Sequence, residues 1–135
     1  MNNVLIDASV LSLALRRREP DTTVQELTEI LLSGVAVIIG PVRQEVLSGI
    51  SDDAAFYRLK TKLAVFDDFP IITRDYETAA AFFNTCRKHG IQGSHTDFLI
   101  CAVAHNNGLL IYTTDNDFKL YAQHLPIRLY NDNNK

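Results

Sequence analysis

The run Val4-Leu5-Ile6-Asp7-Ala8-Ser9-Val10-Leu11 decides how the rest of the chain is read. Three aliphatic residues in succession, Val4 to Ile6, show no alternation, the pattern of a short strand covered on both faces. Asp7 follows at once, where such a strand ends and the chain turns into a helix. A carboxylate at the end of a buried strand needs a partner that wants an anion. Two are available: the N–H groups of the next helix, with Asp7 as its N-cap, or a metal ion.

Outward from this run the same pattern recurs. Val35–Ile39 and Leu109–Tyr112 are further continuous apolar runs and read as buried strands. Helical spacing fills the intervals. Ala8 to about Arg18 places Leu11, Leu13, Ala14 and Leu15 inside; residues 22–32, capped by Asp21 or Thr22, place Val24, Leu27, Ile30 and Leu31 on one face. Pro41 suits the first position of a third helix, with Glu45 just over one turn in. Residues 52–66 bury Phe56, Leu59, Leu63 and Phe66; residues 75–89 carry a core stripe of Ala79, Ala80, Phe83 and Cys86. Phe98 to Ala104 are all apolar, so the helix opened by Gly93-Ser94-His95-Thr96-Asp97 is a central one. Phe69–Ile72 reads as a small strand or an extended connector, and Pro126–Tyr130 as an edge strand. Alternating strands and helices predict an α/β fold in three layers, α/β/α, around a central parallel sheet of four to five strands. One domain spans residues 1–130, followed by a polar tail at 131–135.

Bulk properties exclude several classes. At 135 residues, 47% hydrophobic and 21% charged, the chain has the composition of one soluble globular domain. A net charge of −3 argues against nucleic-acid binding through bulk positive charge. It leaves room for phosphate binding through a metal, since acidic ligands themselves make the count negative. Arg16-Arg17-Arg18 is the densest basic run, read either as a solvated helix end or as a contact to substrate phosphate. Cys86 and Cys101 form neither a CxxC nor a zinc pattern, and read as buried free thiols of a reducing compartment. The N-terminus lacks a signal-peptide pattern, and no apolar stretch approaches a membrane span. A cytoplasmic location is expected.

Parallel sheets bind ligands just outside the carboxyl ends of their strands. Asp7 follows the first strand, Glu45 the connection leaving the second, and Asp115 and Asp117 the strand at 109–112. Asp97 lies in the first turn of the central helix, which runs back towards that strand. All five carboxylates should therefore meet at one edge. Singly, each has a plain explanation: Asp7 and Asp115 as N-caps, Asp97 as the partner of Ser94 in an S-x-x-D capping arrangement, Glu45 as a solvated helix residue. Together, several carboxylates in one cleft repel one another and need protons or a counter-charge. Mg²⁺ or Mn²⁺ fits, because both prefer carboxylate and water oxygens.

These stretches are Leu5-Ile6-Asp7-Ala8-Ser9-Val10, Pro41-Val42-Arg43-Gln44-Glu45-Val46, Asp97 through Ala104, and Thr113-Thr114-Asp115-Asn116-Asp117-Phe118. In order, spacing and strand context they resemble the PIN domain over nearly the whole chain, and most of all the VapC-type ribonuclease toxins of bacterial type II toxin–antitoxin modules. The resemblance implies a metal-dependent endoribonuclease. Asp7, Glu45, Asp97 and Asp115 match the acidic catalytic quartet that holds Mg²⁺ or Mn²⁺, and Asp117 an additional acidic position. Ser9 falls where the family often has a hydroxyl residue; Ser9, Thr114 and Arg16 are candidates for orienting ligands or contacting substrate. No general-base histidine is required. His95 reads as a helix-start or supporting residue, and His89, His105 and His124 show no ligand spacing. The resemblance further implies an RNA substrate, a cognate antitoxin and a homodimer, with the helices at 22–32 and 52–66 as candidate faces.

Other readings fare worse. A haloacid-dehalogenase-type phosphatase needs a second Asp where Ser9 stands, and a receiver-type signalling domain needs an Asp after the second strand, where Gly40 and Pro41 stand. The alternative from another class is a non-catalytic PIN-like module that binds RNA or protein.

Overall fold

The computed structural model describes residues 3–16 and 22–130. The chain runs β1 (Val4–Ile6), α1 (Ala8–Arg16), α2 (Thr22–Leu32), β2 (Ala36–Ile38), α3 (Gly40–Leu47), α4 (Asp53–Leu63), β3 (Asp67–Asp68), α5 (Thr73–Lys88), α6 (His95–Asn107), β4 (Leu110–Tyr112) and α7 (Asp117–Ala122). The four strands form one sheet in the order β3-β2-β1-β4, every pair parallel. The architecture is the expected three-layer α/β/α.

Strands this short hold because their side chains have nowhere else to go. Val4, Leu5 and Ile6 are buried along the whole of β1, as a strand in the middle of a covered sheet requires. Leu5 pairs with Val37 on one side and Ile111 on the other. From β1 the chain steps outward to β2 and β3, then returns to β4 on the opposite side of β1. The strand order therefore reverses between β1 and β4, where such sheets open a crevice.

The central helix is α6. Seven consecutive residues, Phe98 to Ala104, are buried on it. Ser94 caps its start, accepting the Asp97 N–H at 3.0 Å, and Gly108 ends it in the left-handed conformation at φ 67°, which a glycine adopts without strain. Its long neighbour α5 is tied to it by Asp75, an acid whose role the sequence does not betray. Asp75 is 1% exposed. Its carboxylate accepts the Ile72 N–H at 3.0 Å, capping α5, and the Asn106 side-chain amide at 2.9 Å, reaching the end of α6. Arg43 does comparable work for α3. Its guanidinium donates to Asp68 of β3 and to the carbonyls of Leu63 and Phe66, fixing the helix that carries Glu45 against the sheet edge.

Several expectations are corrected. The fifth strand at 126–130 reduces to a single bridge, Leu129 with Ile111, because only one residue of that segment aligns beside β4. The edge strand on the other side lies at Asp67–Asp68, ahead of the Phe69–Ile72 segment. Helix α4 ends at Leu63 rather than at residue 66. Its buried face keeps Leu59 and Leu63, with Phe66 buried beyond it, whereas Phe56 is 38% exposed. Ala80 is exposed on α5, where the buried stripe is Asp75, Ala79 and Cys86. Arg17, Arg18, Asp21 and the tail at 131–135 lie outside the described residues. No helix among the described residues is long and apolar enough to cross a membrane.

Asp75→Ala strands two donors, the Ile72 N–H and the Asn106 amide. A buried unpaired donor costs about 1–3 kcal/mol, so a loss of about 2–4 kcal/mol and a melting temperature lower by roughly 6–12 °C are expected. Thermal denaturation checks this; a variant melting within a degree or so of the parent would contradict it.

Candidate active site

Asp7 sits where β1 ends, with its own N–H bonded to the Tyr112 carbonyl of β4 at 2.9 Å. Strands β1 and β4 are thus stitched together at the residue that carries the carboxylate. The start of α1 is satisfied by the backbone of Asp7, whose carbonyl accepts from Val10 at 3.1 Å and Leu11 at 3.4 Å. Its carboxylate is engaged elsewhere. Oδ2 accepts the Ser9 hydroxyl at 2.7 Å and the Thr113 hydroxyl at 2.8 Å. Each of these hydroxyls also accepts a backbone N–H, Ser9 from Thr114 at 3.1 Å and Thr113 from Asp115 at 3.0 Å. Both hydrogens therefore point at Asp7, which is only 5% exposed. The buried anion is compensated by oriented dipoles across the β1–β4 seam.

Asp97, half-buried in the first turn of α6, approaches from the same edge. Its Oδ2 accepts the Tyr121 hydroxyl at 2.7 Å. Its carboxyl is raised above the usual range, first by burial and then by Asp7 and Asp115, against the pull of Tyr121 and Ser94. Tyr121 is in turn pushed far above the usual phenol range, by burial and then by Asp97, so it stays a neutral donor. Glu45 is solvent-exposed on α3, yet its carboxyl is also raised, by partial desolvation and then by Asp7 and Asp97. Asp115 follows β4, half-buried, with Oδ1 accepting the Asp117 N–H at 2.9 Å; the N-cap of α7 is Asn116, not Asp115 as the spacing predicted. Asp117, exposed, is the first residue of α7.

The structure thus brings Glu45 within electrostatic reach of Asp7 and Asp97, and Asp97 within reach of Asp7 and Asp115, with Asp115 and Asp117 both near Tyr121. Among the described residues, the charges acting on both raised carboxyls are other carboxylates. Among the described residues, no three His, Cys, Asp or Glu side chains are grouped so as to hold a metal ion in this conformation. In kind the residues fit a hard divalent cation: the donors are all oxygen, and their mutual repulsion calls for positive charge. Such a cation would have to draw the carboxylates together.

The hydroxyl residues sort themselves. Ser9 orients Asp7. Thr114 is exposed and lines a cavity of about 180 Å³ beside Asp115, with Asn116 and Lys119. Arg16 is the last residue of α1, its side chain outside the described residues. His95 opens α6 and stacks on Phe83, ring centroids 5.2 Å apart. Cys86 and Cys101 are buried free thiols, both pushed up by burial. The sequence reading missed Thr113, one residue before the threonine it singled out, and Tyr121, which looks like any core aromatic of a short helix. The pair Thr113-Thr114 was the available signal for the first; Tyr121 offers none without the fold.

The PIN domain family model matches residues 4–123. No curated protein matches the chain in sequence. Among solved structures, DNA-bound VapBC from Salmonella typhimurium superposes with a TM-score of 0.76 at 15% identity, covering 96% of this chain and 97% of that one. FitAcB from Neisseria gonorrhoeae gives 0.75 at 18% identity, covering 94% and 96%. A toxin–antitoxin complex from Klebsiella pneumoniae gives 0.62 at 22% identity, covering 86% and 90%. At these identities the structural likeness is one of fold; the family match over residues 4–123 goes further, and the chain belongs to the PIN domain family.

Proposed function

We propose that the protein is a metal-dependent endoribonuclease, the toxin of a type II toxin–antitoxin pair. The observation that carries this is the electrostatic coupling of Glu45 to Asp7 and Asp97, and of Asp97 to Asp7 and Asp115, with no cation among the described residues offsetting the repulsion on Glu45 or Asp97. Asp7, Glu45, Asp97, Asp115 and Asp117 would hold Mg²⁺ or Mn²⁺, which when bound would supply charge neutralisation at the scissile phosphate and activation of the attacking water. The chain's own contribution is orientation. Ser9 and Thr113 fix Asp7, Tyr121 fixes Asp97, and Glu45 stays exposed and able to close on a bound ion. Thr114 and Lys119, on the cavity beside Asp115, are the candidates for contacting the RNA backbone.

The structural neighbours include complexes named VapBC and toxin–antitoxin, which supports a cognate antitoxin as partner. Leu32 at the end of α2 and Tyr57 on α4 are apolar and exposed, 83% and 68%, and suit the helix faces proposed for homodimerisation. The ungrouped state of the carboxylates favours the second reading, a non-catalytic PIN-like binding module. Nuclease assays separate the two. Purified protein with Mg²⁺ or Mn²⁺ should cut structured RNA such as total tRNA, with EDTA abolishing cleavage and Asp97→Asn lowering it by at least about 10²-fold while leaving the fold intact. Cleavage surviving in EDTA or in Asp97→Asn would sink the metal-site assignment.

The raised carboxyls give a separate check. A carboxyl whose folded-state pKa exceeds its unfolded one stabilises the fold fully below the ordinary carboxylate range, and that stability is lost as pH rises through the raised value. Near neutral pH the metal-free site therefore carries an unfavourable charge at Glu45 and Asp97, from desolvation first and from repulsion by neighbouring carboxylates second. Glu45→Gln should raise the metal-free melting temperature by about 1–3 °C near pH 7, a gain discounted for the residue's exposure. The gain should vanish below about pH 4, and Mn²⁺ should stabilise the parent more than the variant. Equal melting curves for the two proteins at neutral pH would refute the repulsion.

A further inference from the structure

Three of the carboxylates around the crevice, Asp7, Asp97 and Asp115, share a restraint: each has one oxygen already taken. On Asp7, Oδ2 is held by two hydroxyls, and on Asp115, Oδ1 is held by the Asp117 N–H. On Asp97 the restraint comes from farther away in the chain, from the Tyr121 hydroxyl at 2.7 Å on Oδ2. Tyr121 has 0% exposure, and its ring is clamped by Phe98, centroids 5.0 Å apart, and by the edge contact with Phe118 at 5.1 Å. The hydroxyl end is confined too. A Cβ at Gly93 would clash with the Tyr121 hydroxyl and lie 2.9 Å from its Cζ and 3.0 Å from Phe98 Cε2. Residue 93 must therefore lack a side chain for the phenol to reach Asp97. Two separate features, a packed ring and a cleared berth, serve one hydrogen bond.

We propose that Tyr121 is a positioning residue that restricts Asp97 to a single ligating oxygen, and that this makes the crevice select small octahedral cations over Ca²⁺. Mg²⁺ demands near-ideal octahedral geometry with short bonds, which single carboxylate oxygens supply. Ca²⁺ takes six to eight oxygens at longer range and readily uses carboxylates in bidentate fashion. An Asp97 with one oxygen occupied by a neutral phenol is poorly suited to bidentate ligation. The inference rests on the metal-site reading above and adds to it the residue that sets which cation is held. Hydrogen bonds to ligating carboxylates commonly affect metal affinity by about 10–100-fold.

Calorimetric titration of Mn²⁺ and of Ca²⁺ into the RNA-free protein tests this, with Tyr121→Phe, Gly93→Ala and Asp97→Asn alongside. The parent should bind Mn²⁺ in preference to Ca²⁺. Tyr121→Phe should bind Mn²⁺ about 10–100-fold more weakly, with the ratio of Mn²⁺ to Ca²⁺ affinity reduced by about 10-fold, and Gly93→Ala should move the ratio the same way. The ratio is the deciding readout, because a variant that merely loses folded protein weakens both cations alike. Tyr121→Phe with the parental Mn²⁺ affinity and ratio overturns the role of Tyr121 while leaving the metal site standing. Mn²⁺ binding undiminished in Asp97→Asn, or absent from the parent, overturns the metal site and this inference with it.

Discussion

A buried carboxylate at the end of the central strand is the constraint on which the structure turns. Asp7 cannot be left bare where it is 5% exposed; among the described residues two hydroxyls, and the geometry that aims them, meet it rather than a cation. One hydroxyl comes from the helix that follows β1 and the other from the strand on the far side of the reversal. The Thr113 bond to Asp7, and the Thr114 N–H to the Ser9 hydroxyl, therefore also tie the end of β1 to the segment leaving β4, alongside the Asp7 N–H to the Tyr112 carbonyl. Stability of the sheet and preorganisation of the site are one arrangement.

The remaining acids are tolerated on different terms. Asp75 is as buried as any core residue and is fully committed to structure, capping α5 and gripping Asn106. Asp68 is paired with Arg43 at 2.9 Å. Glu45 and Asp97 differ: their carboxyls are raised, first by burial and then by neighbours of the same sign. That contrast separates the acids holding the fold from those available to a ligand. The apolar mass beneath, Phe98 to Ala104 on α6 against the strands, supplies the rigid floor from which these acids project.

The order of the elements, the parallel sheet and the edge at which the acids gather all follow from one-dimensional signals. Continuous aliphatic runs mark strands covered on both faces, and an unbroken apolar helix marks the centre. The acids after β1 and β4 could be assigned to one edge because parallel strands all end on the same side. In this sense Asp7, Glu45, Asp97, Asp115 and Asp117 are determined by the sequence as a group.

Side-chain partners are another matter, since they depend on distances between residues far apart in the chain. Thr113 holds Asp7 across 106 positions and Tyr121 holds Asp97 across 24. Neither bond leaves a trace in local spacing. The same holds for Asp75, whose burial is decided by where the end of α6 falls, and for Phe56 and Ala80, which carry helical core periodicity but face outward because no element covers them there. The sequence by itself determined which chemistry could gather at the strand ends. Only the tertiary structure decided which oxygen of each carboxylate is already bound and which is offered, because that depends on hydroxyls and N–H groups brought in by packing.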